Sequence, residues 1–355
     1  MGIFTRGQWL TLIIALLTSA LAGFLDYTNA NAVLRFALGA VALGVLAALV
    51  GMATEQLGTR LGPGATGVLQ SALGNLPELF FGIFALRAGL IEVVQATLIG
   101  SILANSLLVL GLAFLVGGLK HGTQRFASES PRMIATLTML AVAALAVPTL
   151  AHVLHTPAEA HENALSVACA IVLLIVFVAS IPISLRGGPS SIPRPEEQIH
   201  EQAWPLWLAI AILLLGGVGA AFVSDWFVAA LEPAMKTLQI SQAFTGLVVV
   251  AIAGNAVENV VGVQLAAANK PDYAVSVILN SSLQVALGLA PILVILSFFV
   301  GSTPMTLVLP PLLVVALGLS ALLGTLIVND GESIWLEGLV LIGLYGMLGV
   351  SFWWG

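Results

Sequence analysis

The sequence predicts an all-α integral membrane protein with about eleven transmembrane helices, and three observations lead to that prediction. Hydrophobic residues make up 59% of the chain and charged residues only 8%, whereas soluble domains carry about 25% charged residues. Apolar runs of about 20 residues, long enough to cross the hydrocarbon core of a bilayer, recur from end to end. The third observation is an internal repeat. Together these features predict one N-terminal helix followed by two inverted repeats of five helices each.

Charge and cysteine content exclude several other classes. The net charge is −6 and no basic stripe is present to neutralise phosphates, so we expect no nucleic-acid partner. Cys169 is the only cysteine, which rules out an intrachain disulfide and a cysteine-based metal site. The Gly-x-Ser-x-Gly and His-Glu-x-x-His patterns of hydrolases are also absent. We therefore expect neither an enzyme nor a bound cofactor, and no catalytic residue is assigned.

Hydropathy places six spans before a polar connection and five after it. The first span, with Arg6 before it, imitates a secretory signal peptide, and we interpret it as an uncleaved membrane helix. The spans lie near residues 8–25, 32–53, 63–87, 90–117, 132–151, 161–185, 204–231, 240–268, 271–300, 304–328 and 333–353. The predicted units are a first helix with its connection (1–31), a first repeat (32–185), a polar linker (186–203) and a second repeat (204–355).

The lysines and arginines predict the orientation, because cytoplasmic loops are enriched in them. With a cytoplasmic N-terminus, eight of these residues fall inside and three outside. The inner ones are Arg6, Arg60, Lys120, Arg125, Arg132, Arg186, Arg194 and Lys270, and the outer ones are Arg35, Arg87 and Lys236. The linker 186–203 is then cytoplasmic and the C-terminus is outside.

The internal repeat is visible as a short motif that occurs twice. The pentapeptide GNLPE at Gly74–Glu78 returns as GNAVE at Gly254–Glu258, 180 residues later, and the same shift carries Ser101 onto Ser281. This register superimposes the second to sixth spans on the seventh to eleventh. An odd number of spans per repeat inverts the second copy. Inverted repeats are typical of secondary transporters, whose substrate site lies near the membrane midplane where the repeats meet.

Each copy of the motif places a carboxylate, Glu78 or Glu258, inside an apolar span. A charge near mid-bilayer costs about 2.5–3.5 kcal/mol on insertion scales, so each glutamate should face a partner or a wet cavity. Further oxygen donors lie close by in the two motifs and in the spans that follow them. The stronger candidates are Asn75, Asn255, Ser101, Ser281 and Ser282, and the weaker ones are Asn105, Gln95, Gln284 and Asn280.

This combination of side chains favours a hard cation. Calcium takes six to eight oxygen ligands, preferably with carboxylates among them, and two glutamates could balance one divalent ion. Alternative readings are a buried structural pair for the glutamates and bonding of the serines to their own helices. Histidines and glutamates also cluster in the loop after the fifth span. We interpret them as solvated loop residues, with a surface zinc site as the alternative; they are His152, His155, Glu159, His161 and Glu162.

The two motifs resemble those of a known family, the cation/proton exchanger branch of the calcium/cation antiporter superfamily. The stretch GNLPELFFGIFALRAGLIEVVQATLIGSILANSLLVLG, from Gly74, is similar to its first repeat motif, and GNAVENVVGVQLAAANKPDYAVSVILNSSLQVAL, from Gly254, is similar to its second. The resemblance implies exchange of Ca²⁺ for H⁺ across a membrane by alternating access. It also implies that Glu78 and Glu258 are the transport carboxylates, for which cation and protons compete. The expected location is a prokaryotic plasma (inner) membrane, with the lipid bilayer, Ca²⁺ and H⁺ as expected partners.

Two positions depart from the family pattern. The family usually has histidine where Asn259 stands, and glycine where Asn280 stands. Both changes border the expected site, so a broad-specificity exchanger or a sodium or potassium/proton antiporter stays open as the alternative. A passive cation channel that uses the same glutamates is a less favoured one. The sequence also leaves open whether the chain forms a homo-oligomer.

Overall fold

A computed structural model describes residues 4–58, 60, 73–126, 129–185 and 204–354. Within its helices the side chains of residues 129, 130, 182–185, 257 and 258 fall outside the description. The helices are α1 (Arg6–Tyr27), α2 (Ala32–Gly58), α3 (Leu76–Arg87), α4 (Ile91–His121), α5 (Glu129–Val153), α6 (Glu162–Leu185), α7 (Leu206–Leu238), α8 (Gln242–Gly254), α9 (Ala256–Ala267), α10 (Pro271–Val300), α11 (Pro311–Asp330) and α12 (Trp335–Ser351). Two short strands, β1 (Gln124–Arg125) and β2 (Glu332–Ser333), pair antiparallel.

The prediction of an all-α membrane protein is confirmed. Eight of the described helices are long and apolar enough to cross a bilayer, and the bent pair α8 and α9 makes a ninth. The predicted span 63–87 is described only from residue 73, and α12 has 17 residues. The count of eleven spans therefore stays a prediction, as do the four unit boundaries, while the linker 186–203 lies outside the described residues.

Burial separates central helices from helices that face lipid. Most residues of α4 and α10 are buried, whereas only a small fraction of those in α1 and α6 are. Large apolar side chains such as Leu16, Leu215 and Phe299 are among the exposed ones. An apolar surface of this extent is stable against lipid and not against water. The two central helices are those that carry Ser101 and Ser281.

The helix boundaries repeat the shift that the sequence motif shows. Helices α3 and α9 begin 180 residues apart, and so do α4 and α10. Each central helix is interrupted by a π-helical segment at a related position, Ala104–Val109 in α4 and Val285–Leu289 in α10. Such segments are uncommon and occur frequently at functional sites.

The second motif breaks a helix inside the membrane-spanning region. The chain leaves the helical path at Asn255 (φ −91°, ψ 23°), and the segments Gln242–Gly254 and Asn259–Ala267 differ in direction by 60°. Asn75 precedes α3 with nearly the same backbone angles (φ −91°, ψ 13°). Pro77 falls in the first turn of α3, where its missing N–H costs nothing. Both motifs thus place the start of a helix directly before the glutamate.

Helix α4 of the first repeat and α8 of the second approach to backbone contact at two glycines, one on each helix. A Cβ added to Gly100 of α4 would lie 2.6 Å from the Cα of Leu247 in α8. A Cβ added to Gly246 of α8 would lie 2.5 Å from the carbonyl oxygen of Val93 in α4. Small residues at such contacts are the usual means of close helix packing in membranes.

The predicted span 304–328 differs from the structure, since α11 begins only at Pro311. Residues before Pro311 run without helix although Met305, Leu307 and Leu309 are buried. Pro304, Pro310 and Pro311 explain the difference, because proline excludes the helical region for the residue before it. The backbone is satisfied by side chains instead: Thr149 donates to Leu307 O (3.1 Å) and accepts from Leu309 N (2.9 Å), and Ser166 accepts from Leu307 N (2.9 Å).

Candidate functional site

Glu78 is the third residue of α3 and is buried, with 4% of its surface exposed. The first turn of a helix carries unpaired N–H groups and the positive end of the helix dipole, which stabilises a carboxylate there. Glu258 occupies the same third position of α9, but its side chain lies outside the described residues. The repeated glutamates therefore share a helix position, and the contacts that the structure describes are those of Glu78.

One carboxylate oxygen of Glu78 accepts two hydrogen bonds from side chains on other helices. Ser101 Oγ of α4 donates to Glu78 Oε1 over 2.8 Å. Asn255 Nδ2, at the break between α8 and α9, donates to the same oxygen over 3.1 Å and also to Ala251 O over 2.8 Å. These bonds fix the carboxylate between a helix of the first repeat and the broken helix of the second.

Gly254 provides the space that the Glu78 carboxylate fills. A Cβ added at Gly254 would lie 2.7 Å from Glu78 Cγ and 2.9 Å from Cδ, closer than real Cβ contacts. The glycine of the second motif is therefore required for the glutamate of the first. The sequence predicts that glycine here allows a close approach or a break, and at Gly254 both occur together.

Asn105 extends the network from α4 to α10. Its Nδ2 donates to Asn255 Oδ1 (2.7 Å) and to Ser281 Oγ (3.0 Å), and the residue is fully buried. Asn105 Oδ1 accepts no hydrogen bond from the side chains and backbone that the structure describes. A buried amide oxygen with free lone pairs is able to coordinate a hard cation.

A second polar contact joins the two central helices one residue further along. Ser106 Oγ lies 3.2 Å from Ser282 Oγ, and Ser282 also donates weakly to Ile102 O over 3.4 Å. Both serines are buried. Sequence reasoning did not select Ser106, because the shift of 180 residues carries it onto Ala286, so the repeat gives no signal for it.

The hydrogen bonds described for this network do not include the remaining sequence candidates. Gln95 donates through Nε2 to Thr306 O (2.7 Å) and Val308 O (3.2 Å), and so braces the extended segment before α11. Asn75 is partly exposed and its side chain does not cap α3. Gln284 is buried in α10, and Asn280 is partly exposed on the same helix. Five candidates do come together, namely Glu78, Asn255, Ser101, Ser281 and Asn105.

The chemistry of the assembled group is that of oxygen. A carboxylate, two amides and four hydroxyls meet at the junction of the two repeats, without a histidine or cysteine in the hydrogen-bonded set. Helix starts and a helix break converge on the same place, an arrangement that ion-coupled transporters with inverted repeats use for their substrates. Fold and site together define an integral membrane protein of the inverted-repeat transporter type.

Comparison with known proteins identifies the family. The sodium/calcium exchanger protein family matches residues 31–186 and 208–354, and the chain belongs to that family. The Ca²⁺/H⁺ antiporter of Synechocystis sp. is 37% identical over 336 residues, which cover 89% of this chain and 90% of that protein. The vacuolar calcium ion transporter of Schizosaccharomyces pombe is 33% identical, over 94% of this chain and 81% of its own.

A solved structure agrees over nearly the whole chain. The structure of native YfkE superimposes with a TM-score of 0.83 and 32% sequence identity, covering 97% of this chain and 99% of that one. The resemblance to cation/proton exchangers that the two motifs carry is thereby confirmed for the fold as well as for the sequence.

Proposed function

We propose that this protein is a secondary antiporter that exchanges Ca²⁺ for H⁺ across a membrane. The observation that carries the proposal is the buried Glu78 carboxylate, held by Ser101 of one repeat and Asn255 of the other. Relatives at 33–37% identity that are named for calcium transport, one of them for Ca²⁺/H⁺ exchange, support the choice of ions. Ca²⁺ is the transported substrate in this proposal and not a resident cofactor.

The proposed coupling rests on competition for the same oxygens. Glu78 and Glu258 bind either Ca²⁺ or protons, because a protonated carboxyl has lost the charge that holds the cation. Asn75, Asn255, Ser101, Ser281 and Ser282 supply neutral oxygens, and the geometry adds Asn105 to them. Glu258 enters through its repeat-related position alone.

Alternating access follows from the position of the group between the repeats. Every hydrogen bond made by Asn105 and Asn255 to another side chain ends on the opposite repeat. A cation coordinated by these side chains would replace the hydrogen bonds between the repeats with metal–oxygen contacts. In the proposal this exchange of contacts accompanies the change from one open side to the other.

A broader choice of cation is the second candidate, and Asn259 is the residue that favours it. Its Oδ1 is buried and accepts no hydrogen bond within the described ranges, while its Nδ2 approaches Ile252 O at 3.4 Å. An amide oxygen next to Glu258 replaces the histidine expected from the family pattern. Sodium, potassium or manganese are the additional substrates in this reading.

The location proposed is a prokaryotic plasma membrane, and the full-length relative from Synechocystis supports a prokaryotic setting. The orientation remains the one that the lysines and arginines predict. A homo-oligomer is not required by the proposal, because the assembled group lies within one chain.

Flux into sealed vesicles under an imposed pH gradient tests the proposal. Purified protein should take up Ca²⁺ only when protons move in the opposite direction, and collapse of the gradient should stop uptake. Conduction of Ca²⁺ without proton counterflow would identify a channel. Separate trials with Na⁺, K⁺ and Mn²⁺ decide the range of substrates, and a response to Ca²⁺ alone would reject the broader reading.

A further inference from the structure

Three side chains of the loop between α5 and α6 converge on one point. His152 lies in the last turn of α5, Glu159 in the 3₁₀ turn Pro157–His161, and Glu162 is the first residue of α6. Their ligand atoms all lie within 4.8 Å of one another. Three successive structural elements, rather than one helix face, thus build the cluster.

Both carboxylates are directed at the same imidazole nitrogen. His152 Nδ1 lies 2.5 Å from Glu162 Oε1 and 3.5 Å from Glu159 Oε1. The other oxygen of Glu159 lies 3.1 Å from His155 Nδ1. One ring nitrogen has at most one hydrogen to donate, so it cannot satisfy two carboxylates at once.

Histidines are the only ion-pair partners that the described residues give to the two carboxylates of the cluster, Glu159 and Glu162. His152 carries at most one positive charge against two carboxylates, and the second charge would have to come from His155, whose Nδ1 lies 3.1 Å from Glu159 Oε2. A divalent cation would balance both carboxylates and replace the shared hydrogen.

The residue types select the class of cation. A histidine nitrogen with two carboxylates suits zinc and similar transition metals, whereas calcium and magnesium prefer oxygen ligands alone. Zinc bonds of about 2.0–2.2 Å in a tetrahedral site hold the ligand atoms roughly 3.3–3.6 Å apart. The 3.5 Å between His152 Nδ1 and Glu159 Oε1 already matches. The 2.5 Å between His152 Nδ1 and Glu162 Oε1 is that of a hydrogen bond and must lengthen when a metal binds, by movement of two partly exposed side chains.

A cavity gives the cluster access from the aqueous phase. It has a volume of about 630 Å³ and is lined by His152 and His155 together with Glu92, Gln95 and the end of the extended segment before α11. The loop lies on the side of the membrane predicted to be outside. His155 adopts a left-handed backbone (φ 49°), which turns the chain sharply after α5 and holds the 3₁₀ turn against the helix end.

We propose that His152, Glu159 and Glu162 form a binding site for a divalent transition metal, with Zn²⁺ as the representative ion, on the outer face of the protein. The site is separate from Glu78 and does not depend on the proposed transport function. Because its ligands come from α5, the 3₁₀ turn and α6, the bound ion ties the two helix ends together and stabilises the folded protein.

The test uses untagged, full-length protein carrying Glu78→Gln, so that the proposed transport site cannot account for divalent-ion binding. Zn²⁺ binding is measured calorimetrically, and thermal unfolding is followed with and without Zn²⁺. We expect one Zn²⁺ per chain, resistant to excess Ca²⁺, and a rise in Tm. His152→Ala and Glu162→Gln should each weaken binding at least about tenfold, or ~1.4 kcal/mol, and remove the rise in Tm.

His161→Ala is the matched control, because His161 lies in the same turn but outside the cluster. It should bind Zn²⁺ as tightly as the parent. Absence of Zn²⁺ binding in the parent, or equal binding by the His152 and Glu162 variants, would overturn the proposal. Since no ion flux is measured, neither result bears on the proposed exchange of Ca²⁺ for H⁺.

Discussion

Asn255 donates a hydrogen bond of 3.1 Å to Glu78, from a helix break in the second repeat to a helix start in the first. Because both residues belong to copies of the same motif, the two copies meet each other rather than forming two separate sites. A single ion at this point would contact both repeats.

Replacement of Glu78 by glutamine should abolish exchange. Glutamine keeps the size and one oxygen but removes the negative charge and the exchangeable proton, so the group can neither balance Ca²⁺ nor return protons. Glu258→Gln should have the same effect. Proton-driven Ca²⁺ uptake in vesicles is the measurement. Glu232→Gln is the control, because Glu232 is exposed and forms a long ion pair of 4.0 Å with the exposed Lys236. Robust coupled uptake by either variant would remove that glutamate from the mechanism.

Gly254→Ala should lower exchange by at least about tenfold, or ~1.4 kcal/mol, while the protein still folds. The added methyl group occupies space taken by Glu78 Cγ and Cδ, so the carboxylate must leave its position between Ser101 and Asn255. Gly217→Ala is the matched control, since a Cβ there meets no atom within 4 Å. Equal uptake by both alanine variants would show that the position of Glu78 is not critical.

Asn105→Ala should weaken Ca²⁺ binding, although the repeat offers no polar counterpart for Asn105. The change removes the donor to Asn255 and Ser281 and leaves buried groups unsatisfied, at a cost of about 1–3 kcal/mol. The measurement is the Ca²⁺ concentration for half-maximal uptake. Asn329→Ala serves as control, since Asn329 is exposed and bonds only within its own helix. An unchanged half-maximal concentration would argue against Asn105 as a ligand.

Gln95→Leu should reduce stability more than Ca²⁺ affinity. The amide of Gln95 donates to the carbonyls of Thr306 and Val308, and loss of these two bonds leaves partly buried carbonyls without that donor, at a cost of up to about 1–3 kcal/mol. We expect a lower Tm, and a Ca²⁺ concentration for half-maximal uptake close to that of the parent. The exposed Gln264 gives the control, Gln264→Leu. A large loss of affinity at unchanged Tm would instead make Gln95 a ligand.

Single cysteines should report the predicted orientation. With Cys169 replaced by serine, a cysteine at Thr123 should react with an impermeant reagent from the cytoplasmic side and one at Ser302 from the outside. Both positions are exposed. The predicted order of spans places Thr123 on the cytoplasmic side and Ser302 on the outside. Reaction of both from the same side would contradict the inverted arrangement.

The repeat and the glutamates were predictable because charge in an apolar span is rare and the motif occurs twice. The contact between Asn255 and Glu78 was not predictable, because the shift of 180 residues shows which residues correspond in the two repeats but not which residues are in contact. Asn105 illustrates the limit: Val285 stands at its related position, so symmetry gives it little weight, yet it joins Asn255 to Ser281. Hydropathy likewise could not separate the buried extended residues before Pro311 from a helix, although three prolines indicated the difference.

Gly100 of α4 lies against the backbone of Leu247 in α8, and Gly246 of α8 lies against the backbone of Val93 in α4, so backbone atoms set the spacing of these two helices. A methyl group at either glycine would overlap backbone atoms of the other helix, so the seam between α4 and α8 has no room for a larger residue at these two positions. The absence of a Cβ at Gly100 and Gly246 therefore determines the distance between α4 and α8. Any conformational cycle that keeps the seam closed must turn the helices about it, since separation would forfeit the contacts that only glycine permits.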